Sequence, residues 1–468
     1  MTGPVAGGAA EFEAKLAAFV TDKRLYGAAA GVVHGDELAW SGGAGLADAA
    51  TGRPAAADTL YRIASITKTF TGTAIMQLRD TGKLDLDDPA VRWLPELTSS
   101  GTPQAIGRIT IRQLLSHESG LMSEPPGTDW ALLSPAYQAV AAENLARAAE
   151  IVTVIGPNMQ TKYCNLGYQL LGEIVHRAGG TPYPAYVRRE ILDPLGLSDT
   201  AFEPLGDALA ARCATGYSAR AFSDELEVAP RVDAWAEGGL WSSVEDLGRW
   251  LSFQLRAHGG QPDDSPVLAA ESRREMHKPR YLTDETWTQA WGISWYATRK
   301  DGVTWVQHSG GLHGFTSNAC FDTEHKVGAM VLLNGEADAP ALAMELAGIG
   351  RNLVRASAPA VALPQPTPEA YKPLLGLYCF PGSAELRQLE WRDGKLAVLN
   401  PADRAESIPL LPSGDPDTFV VGPGFRDSGE TVRFTREATG QVASVYVGSA
   451  TLLRLEPVAP EHGTGAEA

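Results

Sequence analysis

Ser65 and Lys68 lie three residues apart in the segment Ser-Ile-Thr-Lys. At the start of a helix, residues i and i+3 share one face, so the lysine amine can reach the serine hydroxyl. A serine becomes a nucleophile when a neighbouring base takes its proton, and a lysine is such a base once its pKa is lowered. The spacing therefore predicts nucleophilic catalysis, with a helix cap followed by a surface lysine as the alternative.

A second segment, Tyr-Cys-Asn, places Tyr163 and Asn165 just before an apolar helical stretch. A phenol and an amide two residues apart on a loop can point into one cleft. The tyrosine could then transfer a proton to a leaving group, and the amide could orient a substrate. Alternatively, Asn165 is only the N-terminal cap of the following helix.

A third segment, His-Ser-Gly-Gly, runs from His308 to Gly311 after a predicted strand. Glycines at a strand edge let a substrate backbone approach and present N–H groups for an oxyanion hole. A histidine before such glycines is otherwise a structural residue. The segment is therefore a candidate part of the same site.

Hydrophobic periodicity predicts the elements that would position these segments. The predicted helices cover residues 9–20, about 65–82, about 163–177 and about 244–257. The predicted strands cover residues 28–34, 38–44, 304–307, 316–321 and 327–333. The predicted strands lie at the two ends of this region and the predicted helices lie between them. This order predicts an antiparallel sheet in which strands from the two ends pair and helices pack on the sheet, which is an α+β fold.

The composition changes after residue 355. Residues 356–370 are rich in Pro and Ala and predict an extended linker between a catalytic domain at 1–355 and a second domain at 371–468. Short strands with turn signals, Asp393-Gly394 among them, predict that the second domain is a small antiparallel barrel or sandwich. Its last residues, 459–468, are predicted to be a frayed tail.

Arg454 interrupts the apolar run of the last predicted strand. An exposed charge on a barrel is one interpretation. A guanidinium that faces a cleft and binds a substrate carboxylate or carbonyl is the other. Both stay open at the level of the sequence.

The bulk composition narrows the class of partner. The formal net charge is −17, which argues against a nucleic-acid or anionic-membrane surface. The N-terminus lacks the features of a secretory signal, and no apolar run is long enough to span a bilayer, so we expect a cytoplasmic protein. The four cysteines form no CxxC and the nine histidines no HExxH, so we expect no metal and no cofactor.

The order S-x-x-K, Y-x-N, H-x-G resembles the class C β-lactamases and their penicillin-binding-protein-like relatives, which include D-stereospecific aminopeptidases and serine esterases. The resemblance covers about residues 15 to 355 and includes the segments 59–64, 82–89, 114–121, 237–240 and 311–315. It implies a β-lactamase/transpeptidase-like fold. It also implies that His117, within 114–121, has a structural role.

The resemblance also implies roles for the candidate residues. Ser65 would be the acylated nucleophile, Lys68 its base, Tyr163 a second proton-transfer group and Asn165 a substrate-side amide. The N–H groups of Ser65 and Gly311 would form the oxyanion hole. His308 takes a position where many members have a lysine, which weakens the positive potential that a β-lactam carboxylate would meet. Antibiotic hydrolysis is therefore not the expected task.

The predicted C-terminal domain resembles the lipocalin-like module of some family members, including stand-alone penicillin-binding-protein-type thioesterases that release nonribosomal peptides as macrocycles. This resemblance implies a peptide substrate with a D-configured acyl residue, delivered by a peptidyl carrier protein. A D-stereospecific aminopeptidase, amidase or carboxylesterase acting on a smaller molecule is the alternative. A non-catalytic binding protein is a third.

Overall fold

The computed structural model describes residues 3–128, 141–219, 226–228, 235–259, 265–357, 366–383, 385–401, 403–423, 428–448 and 450–455. The chain divides into two compact units, Met1–Ala358 and Pro359–Ala468. The middle of the predicted linker (358–365) and the predicted tail (459–468) lie outside the described residues. Each unit has a hydrophobic core of its own.

The first unit is built around antiparallel strands. In chain order they are β1 (Gly27–His34), β2 (Glu37–Asp48), β3 (Arg53–Pro54), β4 (Tyr61–Arg62), β5 (Tyr217–Ala219), β6 (Leu226–Val228), β7 (Trp241–Ser242), β8 (Tyr281–Leu282), β9 (Gln289–Trp291), β10 (Tyr296–Lys300), β11 (Val303–Leu312), β12 (Phe315–Asp322) and β13 (Val327–Leu333). The main sheet has the order β3-β2-β1-β13-β12-β11-β10-β9-β8. β1 pairs with β13 from Ala28–Leu333 to His34–Val327, so the two ends of the unit close the sheet as predicted.

The helices of this unit differ in length. The longer ones are Ala9–Asp22, Thr67–Asp80, Asn165–Gly179, Val244–Arg256, Ala270–His277 and Ala339–Ser357. The shorter ones are Pro103–Ile106, Ile111–Leu115, Ala141–Ala146, Tyr183–Val187, Asp193–Leu195 and Asp207–Ala210, with a π-helical turn at Arg188–Leu192 and 3₁₀ turns at Pro4–Gly8, Ala64–Ile66, Ala90–Arg92, Pro95–Ser99 and Ala148–Glu150. Ala339–Ser357 was not among the predicted helices. Within the described ranges, no helix is both long and apolar enough to cross a membrane.

Helices cover both faces of the main sheet. Because side chains alternate along a strand, Ala28 and Ala30 of β1 pack with the terminal helices, and Ala29 and Val33 pack with the central helices. On the central side, Phe70 of the helix Thr67–Asp80 stacks on a tryptophan of Val244–Arg256, with ring centroids 3.9 Å apart. The helix after Ser65 is thereby anchored in the larger core.

The second unit is a closed antiparallel barrel. Its strands are β14 (Gly376–Cys379), β15 (Leu386–Arg392), β16 (Lys395–Asn400), β17 (Asp403–Pro412), β18 (Thr418–Val421), β19 (Thr431–Arg436), β20 (Val442–Val447) and β21 (Ala450–Arg454), after a 3₁₀ turn at Lys372–Leu374. Asp393 and Gly394 join β15 to β16 with φ of 52° and 74°, as a primed hairpin turn requires. This closed barrel confirms the prediction of a small all-β fold.

Candidate active site

Ser65 lies in the 3₁₀ turn Ala64–Ile66, immediately before the helix Thr67–Asp80. Ala64 has φ of 46°, in the left-handed region that residues with a side chain rarely adopt. β11 and β12 hold this turn from the other side: Ser317 Oγ donates to the carbonyl of Ile63 at 2.9 Å. A Cβ added to Gly310 would collide with the same carbonyl, so strand and nucleophile turn are in direct contact.

Lys68 is fully buried, which excludes the surface lysine of the alternative interpretation. Its Nζ lies 3.0 Å from Ser65 Oγ, 2.7 Å from Asn165 Oδ1 and 2.6 Å from the carbonyl oxygen of Glu237. The last two atoms can only accept hydrogen bonds, whereas a hydroxyl can also donate. A neutral lysine amine would therefore donate to the amide and carbonyl oxygens and turn its lone pair toward the serine hydroxyl.

The electrostatic surroundings favour that neutral form. Burial lowers the pKa of Lys68 to about 7, against the opposing influence of the nearby carboxylates of Glu237 and Glu124. Burial raises the pKa of Glu237, whose carboxyl accepts a hydrogen bond from Gln169 Nε2 at 2.8 Å. At neutral pH a substantial fraction of Lys68 is thus unprotonated and able to accept a proton.

Tyr163 stands over the serine–lysine pair. Its phenol hydrogen-bonds with Ser65, and its ring centroid is 5.0 Å from Lys68 Nζ. Desolvation raises the pKa of the phenol above its ordinary value, against the lowering effect of the hydrogen bond with Ser65. The phenol is therefore protonated at neutral pH, and 37% of the residue surface is exposed, so it can donate a proton to a group that enters the site.

Asn165 is the first residue of the helix Asn165–Gly179 and not its cap. The cap is Cys164, whose Sγ accepts a hydrogen bond from Gly167 N at 3.1 Å. The interpretation of Asn165 as cap is therefore wrong. Its side chain lies in the site, where Oδ1 accepts a hydrogen bond from Lys68. The buried thiol of Cys164 has its pKa raised to about 11 by desolvation and remains protonated.

His117 supports this segment from behind. It is completely buried, and its Nδ1 accepts a hydrogen bond from Cys164 N at 3.1 Å. Its ring lies 4.3 Å from that of Tyr163 and 4.4 Å from that of Trp291, measured between centroids. These contacts agree with the structural role that the family resemblance implies for His117.

His308 enters the site as a neutral ring. Its Nδ1 lies 2.7 Å from the carbonyl oxygen of Ser309, so the proton is on Nδ1. Burial, followed by the charge of Lys68, lowers the pKa of His308 to about 3, although the hydrogen bond to Ser309 opposes this effect. The ring thus contributes no positive charge at neutral pH.

The N–H group of Gly311 points to the side of β11 that faces away from β12. Leu312 and Phe315 close a two-residue hairpin, and such hairpins are closed by a hydrogen-bonded pair. The next pair, Gly311 and Thr316, is then not hydrogen-bonded, and the Gly311 N–H points away from β12. On that side β10 begins only opposite Gln307, so no described strand covers Gly311.

A pocket of about 380 Å³ lies above these groups, and Ser65, Tyr163, Asn165, His308 and Gly311 all line it. The structure thus brings these five predicted residues together, with Lys68 beneath them. Three further lining residues come from β9 and β10 and were not predicted, namely Gln289, Trp291 and Tyr296. No motif marks them, because they reach the pocket only through the order of strands in the sheet.

Arg454 belongs to the C-terminal unit. Its guanidinium donates to the carbonyl oxygens of Pro373 at 3.0 Å and Leu375 at 2.9 Å. On the same strand Leu452 points into the barrel core and Leu453 is exposed, as the alternation of side chains along a strand requires. These contacts hold the 3₁₀ turn before the barrel, and substrate binding by Arg454 stays a prediction.

Among the described residues, one group has side chains close enough to share a metal ion: Asp322, Glu324 and His325. It lies at the end of β12 opposite the catalytic turn. Asp322 Oδ2 already accepts hydrogen bonds from Arg351 Nε at 3.1 Å and from His325 Nδ1 at 2.7 Å. The group is therefore explained by an ion-pair network and supports no metal centre.

Comparison with known proteins identifies a family. The family model described as Beta-lactamase matches residues 12–349. Esterase EstB of Burkholderia gladioli is 29% identical in an alignment of 358 positions that covers 69% of this chain and 89% of the esterase.

Two solved structures are similar in fold. A D-stereospecific amidohydrolase from Streptomyces sp. superposes with a TM-score of 0.60 at 26% identity, over 72% of this chain and 97% of its own. The structure of SurE superposes with a TM-score of 0.58 at 25% identity, over 96% of this chain and 100% of its own. The likeness to SurE therefore extends over both units.

Proposed function

The chain belongs to the β-lactamase family, whose members are serine hydrolases and acyltransferases, and from this premise we propose that it forms an acyl-enzyme on Ser65. The observation that carries the proposal is the environment of Lys68, a buried amine with two pure acceptors and one serine hydroxyl around it. The proposed steps use only groups of the chain and of the substrate.

Acylation follows from the positions of the groups. Lys68 accepts the Ser65 proton as Oγ attacks the acyl carbonyl carbon, and the oxyanion accepts hydrogen bonds from the N–H groups of Ser65 and Gly311. The proton then passes through Lys68 or the Tyr163 phenol to the leaving group, and the carbon–leaving-group bond breaks. Deacylation repeats these steps with an acceptor in place of the leaving group, and Ser65 recovers its proton.

We propose further that the acyl donor is a carrier-bound peptidyl thioester and that the acceptor is the peptide's own amine, which gives a macrocycle. The sequence resemblance to penicillin-binding-protein-type thioesterases supports this, as does the likeness to SurE over both units. The D-stereospecific amidohydrolase supports a D-configured acyl residue. The neutral His308 agrees with an acyl donor that has no free carboxylate near β11. A peptidyl carrier protein would deliver the substrate in the cytoplasm.

The test is incubation with a linear peptidyl thioester mimic that ends in a D-residue, followed by mass spectrometry of the products. The expected product is 18 mass units lighter than the linear acid, because cyclisation expels the thiol without adding water. Ser65→Ala and the L-configured mimic are the controls. Hydrolysis alone, or no turnover, would exclude the cyclase while leaving the acyl-enzyme open.

A hydrolase of D-aminoacyl amides or simple esters is the second candidate, with water as acceptor. It is favoured by the similarity to esterase EstB, which covers 89% of that protein. A panel of p-nitrophenyl esters and D-aminoacyl amides tests it, and absence of turnover across the panel rejects it. A non-catalytic binding protein is the third candidate. It is rejected if a fluorophosphonate adduct forms on the protein and is absent from Ser65→Ala.

A further inference from the structure

The side-chain amide of Asn165 is held at both of its ends. Its oxygen, Oδ1, lies 2.7 Å from Lys68 Nζ, and its nitrogen, Nδ2, donates to Oε1 of Glu124 at 2.6 Å. A carboxylate can only accept hydrogen bonds from an amide, so Glu124 requires the nitrogen end of Asn165. The amide oxygen is consequently turned toward Lys68.

The orientation of this amide affects the lone pair of Lys68. If the amide rotated by half a turn, its NH₂ group would face the amine as a donor. A neutral lysine would then use its lone pair to accept from Asn165, in competition with the hydroxyl of Ser65. With its oxygen turned toward Lys68, the Asn165 amide accepts a hydrogen bond from a lysine N–H. The lone pair of the lysine amine then stays available to Ser65.

Glu124 is tied to the Tyr-x-Asn segment by its neighbours in the chain. Ser123 Oγ donates to the carbonyl of Tyr163 at 3.1 Å, and Leu166 N donates to the carbonyl of Ser123 at 3.0 Å. The thiol of Cys164 donates to the carbonyl of Met122 at 3.2 Å. These three hydrogen bonds hold the backbone before Glu124 against residues on both sides of Asn165, so the Glu124 carboxylate starts from a fixed position beside the amide.

We propose that Glu124 is a positioning residue, which orients the Asn165 amide so that Lys68 can accept the proton of Ser65. The role rests on the proposed acylation of Ser65 and adds a residue that lies outside the three sequence motifs. The Glu124 carboxylate also acts by its charge, because it stabilises the protonated form of Lys68. The two effects have opposite consequences and can be separated by two substitutions.

The experiment measures the rate of covalent labelling by a fluorophosphonate, by intact mass, between pH 5 and 9. Glu124→Met removes the acceptor at nearly constant size, and its plateau rate is expected to fall about 10²-fold, the cost of a misplaced catalytic group. Glu124→Gln keeps an acceptor oxygen and is expected to stay within about threefold of the plateau. The acidic limb of the pH–rate profile of Glu124→Gln is expected at lower pH than in the wild-type protein. The reason is that the loss of a negative charge near Lys68 lowers the pKa of the amine.

Glu150→Met is the matched control, since Glu150 is an exposed residue that pairs with Arg147. Circular dichroism and thermal unfolding establish that each variant is folded. A folded Glu124→Met protein labelled at the wild-type rate would overturn the proposal, as would an equal loss in Glu124→Gln and Glu124→Met. If the wild-type protein itself is labelled no faster than Ser65→Ala, the proposed acylation fails instead.

Discussion

The imidazole of His308 donates from Nδ1 to the carbonyl oxygen of the next residue, Ser309, over 2.7 Å. This bond fixes the tautomer and leaves Nε2, which has no partner among the described residues, as an acceptor buried at the pocket wall. The position thus presents an uncharged acceptor where the family resemblance implies a lysine cation in many members. The difference bears directly on which acyl donors the site accepts.

Replacing His308 by Lys should change this selectivity. We expect His308→Lys to raise the acylation rate with a carboxylate-bearing β-lactam, relative to a neutral ester, by about tenfold, because a cation then faces the carboxylate. The ratio of the two second-order acylation rates measures the effect. His308→Gln, which adds no charge, is the control, and an equal ratio in both variants would contradict the interpretation.

The acylation rate should depend on pH through Lys68. The base must be unprotonated, and its pKa is about 7, so the rate should rise with pH through that value and fall about tenfold per pH unit well below it. His308, with a pKa of about 3, should add no inflection between pH 5 and 9. A pH profile of fluorophosphonate labelling tests this. A flat profile would mean that another group is the base.

Substitutions of Lys68 and Tyr163 should separate their roles. Lys68→Ala should reduce acylation about 10³-fold or more, because the amine that contacts Ser65 Oγ is lost and the Tyr163 phenol, which also contacts Ser65, is protonated. Tyr163→Phe should acylate more slowly but measurably, since the phenol assists the leaving group and does not activate the serine. Burst kinetics with a p-nitrophenyl ester measure both. Full activity of Lys68→Ala would disprove the assignment of the base.

Gly310 and Gly311 form a natural matched pair. A Cβ at Gly310 collides with the Ile63 carbonyl, so Gly310→Ala should displace the turn of Ser65 and reduce acylation about 10²-fold. A Cβ at Gly311 meets nothing within 4 Å and the N–H is retained, so Gly311→Ala should stay within about threefold. Equal activities of the two folded variants would contradict the contact between β11 and the nucleophile turn.

Arg454 should contribute to the stability of the barrel. Removing its hydrogen bonds to Pro373 and Leu375 in Arg454→Met should lower the free energy of unfolding of the C-terminal unit by about 2 kcal/mol. Chemical denaturation followed by tryptophan fluorescence measures this. KM for the peptidyl thioester mimic, compared with that for a small ester, tests the predicted substrate contact. A rise in KM for the peptidyl thioester mimic, with KM for the small ester unchanged, would support substrate contact by Arg454.

Several features follow from local sequence alone. The contact of Ser65 with Lys68 follows from i, i+3 spacing at the entry to a helix, which local geometry dictates. The β15–β16 turn follows from Asp393-Gly394, because few residue pairs tolerate two consecutive positive φ angles. The antiparallel sheet closed by β1 and β13 follows from the order of strands and helices along the chain.

Other features are decided by the tertiary structure. The charge state of Lys68 depends on burial and on acceptors that are 97 and 169 residues away in the chain, at Asn165 and Glu237. The burial that keeps His308 uncharged and the pocket wall at Trp291 likewise depend on packing between distant segments. The sequence by itself determined which chemical groups are present and how adjacent ones are spaced. Desolvation and hydrogen-bond direction, which set whether those groups can react, arise only when the chain folds.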